Sequence, residues 1–250
     1  ALVLFVTLLV VLSTTSLGVP YKYSEEAPRL RRVIAQHAHR TIYDFEGELQ
    51  TSDNALFVQS FDYRSTRDLP DHSFLKGSPP ADCGLLRDEY CRLPYYNPTL
   101  RIQPVNESVW IPVPTAPPIP FPISIKLLSR HKLQHGRLLN MTFELSGGYD
   151  KMAVRVTPVE GFELKRWSFT PLDVQQANKR DTQYVYLTYV GEKSPTRTFW
   201  LLLEHKGDSL PDFETTPSLE LAVSSMHMHG KHQNSETIKQ LRSLVASRRQ

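Results

Sequence analysis

LLNMTFELSGG, residues 138–148, decides the fold. Leu139, Met141, Phe143 and Leu145 alternate with Asn140, Thr142 and Glu144, and the run ends on a glycine pair. A period of two puts the four apolar side chains on one face of an extended strand and the polar ones on the other; a helix would scatter them around its axis. The stretch therefore reads as a half-buried β-strand. Working outward, the same texture recurs in ISIKLLSRHKL before it and in MAVRVTPVEG, ELKRWSF, TQYVYLTYVG, TFWLLLEHKG and LELAVSSM after it. Clusters of Gly, Pro, Asn or Asp separate these runs, and no helix-period segment intervenes. This pattern predicts a mainly β chain, folded as an antiparallel β-sandwich. Tyr184–Tyr189 and Phe199–Leu203 are apolar on both faces and are expected to be central strands.

Toward the N-terminus, RTIYDFEGELQTSDNALFVQSFDY (residues 40–63) reads as a strand, a turn around Glu46-Gly47, a polar connection and a second strand over Ala55–Asp62. Pro70, Pro79, Pro80, Pro94 and Pro98 break any periodicity between residues 64 and 104. WIPVPTAPPIPFP, residues 110–122, has a polyproline-II bias and cannot fill a ladder with N–H donors, so it reads as an edge or a stiff connector. An SH3-type ligand is the sharper alternative, but the run is also rich in apolar residues that would pack. One short helix closes the chain, with Asn234 or Ser235 as N-cap and Ile238, Leu241, Leu244 and Val245 on one stripe.

The opening residues 1–21, ALVLFVTLLVVLSTTSLGVPY, carry no charge. About 20 apolar residues are needed to cross a bilayer, and residues 1–19 precede the helix-stopping Pro20. We expect a transmembrane helix over 1–19, truncated at its start, then a juxtamembrane segment over 20–36, a β domain over 37–233 and a helix with a basic tail over 234–250. A clipped secretory signal is the competing reading: Ser16–Gly18 resembles a cleavage site, but the basic segment that opens such signals is absent. It would make the chain a secreted β-sandwich binding module, lectin- or adhesion-like. Arg29, Arg31 and Arg32 favour a cytosolic location for the residues C-terminal to the helix. Against them stand the sequons Asn106-Glu-Ser and Asn140-Met-Thr, both glycosylation acceptors. Cys83 and Cys91 also weigh against them, since in an oxidising compartment they would close a short disulfide loop contributing roughly 2.5 kcal/mol.

The formal charge of +3, from 29 basic and 26 acidic residues, is too balanced to imply nucleic acid, and no recognition-helix, zinc-finger or RNP-type pattern is present. HMHGKH supplies His227, His229 and His232, the densest set of metal-ligand side chains. Spacing of two along a strand would set His227 and His229 on one face. No carboxylate or cysteine lies nearby in sequence, so the segment reads as a polar strand end, and we assign no metal ligand. His37 and His39 repeat the spacing in a basic segment and read as exposed. There is no G-x-S-x-G, no H-E-x-x-H and no glycine-rich loop opening a helix; Gly147-Gly148 reads as a turn. Trp110, Trp167, Trp200, Tyr184, Tyr186 and Tyr189 would make a sugar- or peptide-binding platform if exposed, though half or more should be core. No catalytic residue and no cofactor is expected in this chain.

QHAHRTIYDFEG, SDNALFVQSFDY, YCRLPYY, VWIPVP and LAVSSMHMHGKHQNSETIKQLRSLV succeed one another in an order and spacing that resemble the C-terminal luminal domain of the endoplasmic reticulum metallopeptidase 1 family. The similarity runs from about His37 to Val245. The resemblance implies a β-rich domain in the lumen, carried on the last helix of a multi-spanning membrane segment. It also implies that zinc and its catalytic glutamate sit in an N-terminal aminopeptidase-like domain, which would be the partner of this one. No position here matches those ligands, so none is carried over. The implied role is structural or substrate-presenting, at the endoplasmic reticulum membrane.

Overall fold

The computed structural model describes residues 2–15, 33–60, 108–171, 184–189, 195–207, 209 and 211–246. Cys83, Cys91 and Asn106 lie outside the described residues. The chain is mainly β. Helix α1 (Leu2–Thr14) is followed by strands β1 (Val33–Tyr43), β2 (Leu49–Ser60), β3 (Ser108–Pro112), β4 (Ser124–Leu133), β5 (Leu138–Ser146), β6 (Lys151–Pro158), β7 (Phe162–Trp167), β8 (Tyr184–Tyr189), β9 (Arg197–His205) and β10 (Leu219–Met226), and then by helix α2 (Glu236–Ala246). Among the described residues all the pairings are antiparallel and form three sheets, ordered β1-β2-β3, β10-β6-β8 and β4-β5-β9-β7.

The alternation in residues 138–148 is realised as expected. Leu139, Met141, Phe143 and Leu145 are buried, and Asn140, Thr142 and Glu144 face the other way. Their buried face joins Leu164, Phe199, Leu201 and Leu203 of the same sheet with Met152, Val154 and Val156 of β6 in one hydrophobic core. Leu219, Leu221 and Val223 of β10 pack against its margin. Phe143 and Phe199 stack across the β5–β9 pair with ring centroids 5.3 Å apart. Burial of such side chains contributes roughly 1.5–3 kcal/mol each, so this face holds the four-stranded sheet to β6 and β10.

Of the two strands expected to be central, β9 is: it lies between β5 and β7. Among the described residues β8 pairs only with β6, which is the central strand of its sheet. Sequence obscured this because β6 buries both faces, including Lys151 and Arg155, whose charges make the strand look half-exposed.

The third sheet has its own packing. Leu56, Val58, Ile111 and Val113 on one face receive Ile238 and Leu241 of α2. Ser235 caps that helix, its Oγ accepting the Ile238 amide at 3.3 Å. On the other face Ala55, Phe57 and Trp110 gather Ala38 and Met226. Arg40 and Asp53, cross-strand partners, form a two-bond pair (Nε–Oδ1 3.0 Å, Nη2–Oδ2 2.6 Å). The Trp110 indole also donates to Asp53 Oδ2, and the Arg40 guanidinium lies over the Trp110 ring. The proline run behaves as an edge and then a connector: among the described residues β3 pairs with β2 alone, and residues 113–123 lead to β4.

At the N-terminus, the helix expected over 1–19 is described as Leu2–Thr14, 13 residues with none buried. At 1.5 Å per residue it is about 20 Å long, short of a hydrocarbon layer of about 30 Å. Among the described residues no helix is long and apolar enough to cross a membrane. The first strand begins at Val33, inside the segment read as juxtamembrane.

Candidate functional site: a histidine cluster around a buried aspartate

The β5–β6 turn carries the site. Gly147 has φ +78°, and a Cβ there would overlap the backbone carbonyl of Pro122. Gly148 donates its amide to Phe121 O at 2.9 Å. This close approach clamps the turn onto the proline-rich connector and fixes the direction in which the next two residues leave it. Tyr149 then stacks on Phe121 (5.9 Å between centroids, 8° between planes), and its amide donates to Ser225 Oγ of β10.

Asp150 comes next, with its side chain only 3% exposed. Its Oδ2 accepts the backbone amides of Met228 (2.7 Å) and His229 (3.2 Å), so the carboxylate organises the segment leaving β10. Its Oδ1 lies 3.2 Å from His229 Nε2, without hydrogen-bond geometry. His227 sits 4.6 Å from the Tyr149 ring and 5.1 Å from the His232 ring, centroid to centroid. Phe121, Tyr149, His227 and His232 thus form a continuous row of rings. Burial first, and the charge of His232 second, lower the His227 pKa; Asp150 acts the other way and His229 adds to the lowering.

The carboxylate that the sequence lacks near HMHGKH is therefore supplied by Asp150, 78 residues before Met228. Even so, among the described residues no group of three or more His, Cys, Asp or Glu side chains is arranged to hold a metal ion. Asp150 binds amides, His227 and His232 face one another as rings, and His229 is turned outward toward one carboxylate oxygen. This arrangement does not fit a zinc ion. What the cluster can do is hold protons and tie two segments together.

The other pair of histidines is structural as well. His37 Nε2–H donates to Thr115 O at 2.8 Å, which leaves Nδ1 to accept from the Ser235 hydroxyl at 2.9 Å. His37 thereby links β1, the proline-rich connector and the α2 cap. Burial lowers its pKa, with the Thr115 bond opposing. His39 Nδ1–H donates to Asn54 Oδ1 at 2.8 Å. His37 is half-buried rather than exposed as the sequence suggested, whereas His39 is exposed as expected, though bonded to Asn54. Asn140 is described, mid-strand on the outer face of β5. Sequence reading missed Asp150 and Tyr149; the only local signal was the glycine pair, which marks a sharp turn but does not say against what.

The described body is mainly β, built of antiparallel sheets and closed by a capped C-terminal helix. The profile described as Endoplasmic reticulum metallopeptidase 1, C-terminal domain, matches residues 28–245, and the chain belongs to that family. It is similar to the putative endoplasmic reticulum metallopeptidase 1-A of Caenorhabditis elegans, 50% identical over 247 residues, covering 99% of this chain and 27% of that protein. The Homo sapiens endoplasmic reticulum metallopeptidase 1 is 24% identical over 245 residues, covering 96% of this chain and 25% of that protein. The Mus musculus protein of the same name is 23% identical over 228 residues, covering 89% and 24%. The chain thus spans about a quarter of the length of these curated relatives. No solved structure matches it.

Proposed function

We propose that this chain is the non-catalytic, luminal C-terminal domain of an endoplasmic reticulum membrane metallopeptidase, with a structural or substrate-presenting role beside the peptidase domain of the same protein. The observation that carries this reading is the family match over residues 28–245 of a chain about a quarter as long as its relatives. Zinc then belongs to the peptidase domain. The core shared by the four-stranded sheet with β6 and β10 supports reading the body as a sandwich.

Helix α1, apolar and with no residue buried, is read as part of a membrane-embedded helix. A luminal body accounts for the two sequons, and it puts Cys83 and Cys91 in an oxidising compartment, where they pair. The experiment is direct. Purified chain supplied with zinc is assayed on aminopeptidase substrates, and no turnover is expected; metal-dependent turnover by this chain would overturn the non-catalytic role. Orientation is read separately, by glycosidase sensitivity at Asn106 and by thiol labelling of Cys83 and Cys91 before and after reduction. Recovery of soluble chain lacking residues 1–18 from culture medium would favour the secreted binding module instead.

A further inference from the structure

The outer face of the four-stranded sheet places the Asn140 sequon beside an exposed tryptophan. Pairing registers set two neighbouring rows across it: His131, Asn140, Leu202 and Arg166 in one, and Ser129, Thr142 and Trp200 in the next. Asn140 is thus directly opposite Leu202 and diagonal to Trp200, a separation of roughly 7–8 Å that long and aromatic side chains bridge. Trp200 is 37% exposed, whereas Trp110 is 7% exposed. Ser168 continues the second row at the end of β7, where its amide donates to Trp200 O and its hydroxyl accepts the Trp200 amide, both at 3.0 Å. The indole therefore stands on a fixed backbone, in one row with Thr142 and Ser129 and beside Ser168.

We propose that Asn140 carries an N-linked glycan whose first N-acetylglucosamine lies on the platform made by Trp200 and Leu202. The proposal rests on the luminal reading above. A pyranose presents an apolar face of C–H groups, and the negative face of an indole attracts that slightly positive surface. An unglycosylated sheet would instead leave the apolar surface of Trp200 and Leu202 uncovered. Transfer forms a bond from Asn140 Nδ2 to the anomeric carbon of the sugar. It breaks that carbon's bond to a phosphate oxygen of a lipid-diphosphate oligosaccharide donor, and it releases the lipid diphosphate and one amide proton. The transfer precedes sheet closure, since Asn140 in the folded strand is half-buried with its Oδ1 enclosed.

The test uses the full chain made in a secretory-pathway host. Peptide mapping after peptide-N-glycosidase treatment in heavy-oxygen water should find Asn140 converted to labelled aspartate. Two trimmed forms then separate attachment from packing. An endoglycosidase that leaves one N-acetylglucosamine should leave Trp200 covered, while complete removal should shift its emission to the red, and Trp200→Phe should abolish that shift. Thr142→Ala, which removes the acceptor without touching Asn140, should lower Tm by roughly 2–4 °C in the wild-type background and by much less in Trp200→Ser. Modification at Asn106 but not at Asn140 would overturn this proposal while leaving the luminal reading intact; modification at neither, with both cysteines reduced, would overturn both. Occupancy at Asn140 with identical emission in the two trimmed forms would overturn the platform alone.

Discussion

Replacing Asp150 by alanine should loosen the junction between β10 and α2 more than any other single change in the histidine cluster. The side chain is buried, and its Oδ2 is the acceptor for two backbone amides, those of Met228 at 2.7 Å and His229 at 3.2 Å. Alanine leaves both donors without it. Each orphaned donor costs about 1–3 kcal/mol, with the lower end applying to His229, whose side chain reaches solvent and whose segment admits water. The sum is about 3 kcal/mol, a drop in Tm of roughly 6–12 °C for a domain of this size. Asp150→Asn keeps one oxygen where Oδ2 stands but loses the charge that strengthens both bonds, so its cost should be about 1 kcal/mol. The assay is thermal unfolding of the full chain in mild detergent at neutral pH, with hydrogen exchange read at the Met228 and His229 amides. If the alanine variant melts within a degree of wild type, or the asparagine variant falls below the alanine one, the carboxylate is not what organises this segment.

Other contacts carry measurable consequences of the same kind. Stability should decline as pH falls below about 6.5, the ordinary histidine value, because burial holds the His227 and His37 pKa values lower in the folded chain than in the unfolded one. A scan of Tm from pH 7.5 to 5 checks this, and His227→Gln should flatten it; a curve rising toward acid would contradict the sign. Gly147→Ala forces a Cβ onto the Pro122 carbonyl at φ +78°, so it should cost about 2 kcal/mol or more in denaturant midpoint and disturb the Tyr149–His227 stacking. Asp53→Ala removes the acceptor shared by Arg40 and Trp110 and should cost about 2 kcal/mol; Arg40→Ala tested alone and together with it should prove non-additive. Ser235→Ala takes away both the α2 cap and the donor to His37 Nδ1. It should cost about 1–2 kcal/mol and speed hydrogen exchange through the first turn of α2.

How much of the fold and the cluster was legible in advance depended on how local the information is. The alternation of Leu139 through Leu145 and the stripe of Ile238 and Leu241 after Ser235 are written in consecutive residues, and each element formed where its period said it would. A strand's side-chain period and a helix cap are satisfied within a few positions of chain, so the strands, the closing helix and the family resemblance could all be read in one dimension. Pairing partners are not local. Which strand is central, that β6 buries Lys151 and Arg155, and that Tyr149 and Asp150 meet His227 and His229 all depend on segments far apart in the chain. The same holds for Asn140: the sequon is visible in three letters, but its place beside Trp200 exists only because β5 and β9 pair in one register. A one-residue slip would turn the indole into the core and leave the sequon facing Leu201 or Leu203, and only the cost of exposing Phe199, Leu201 and Leu203 together prevents it.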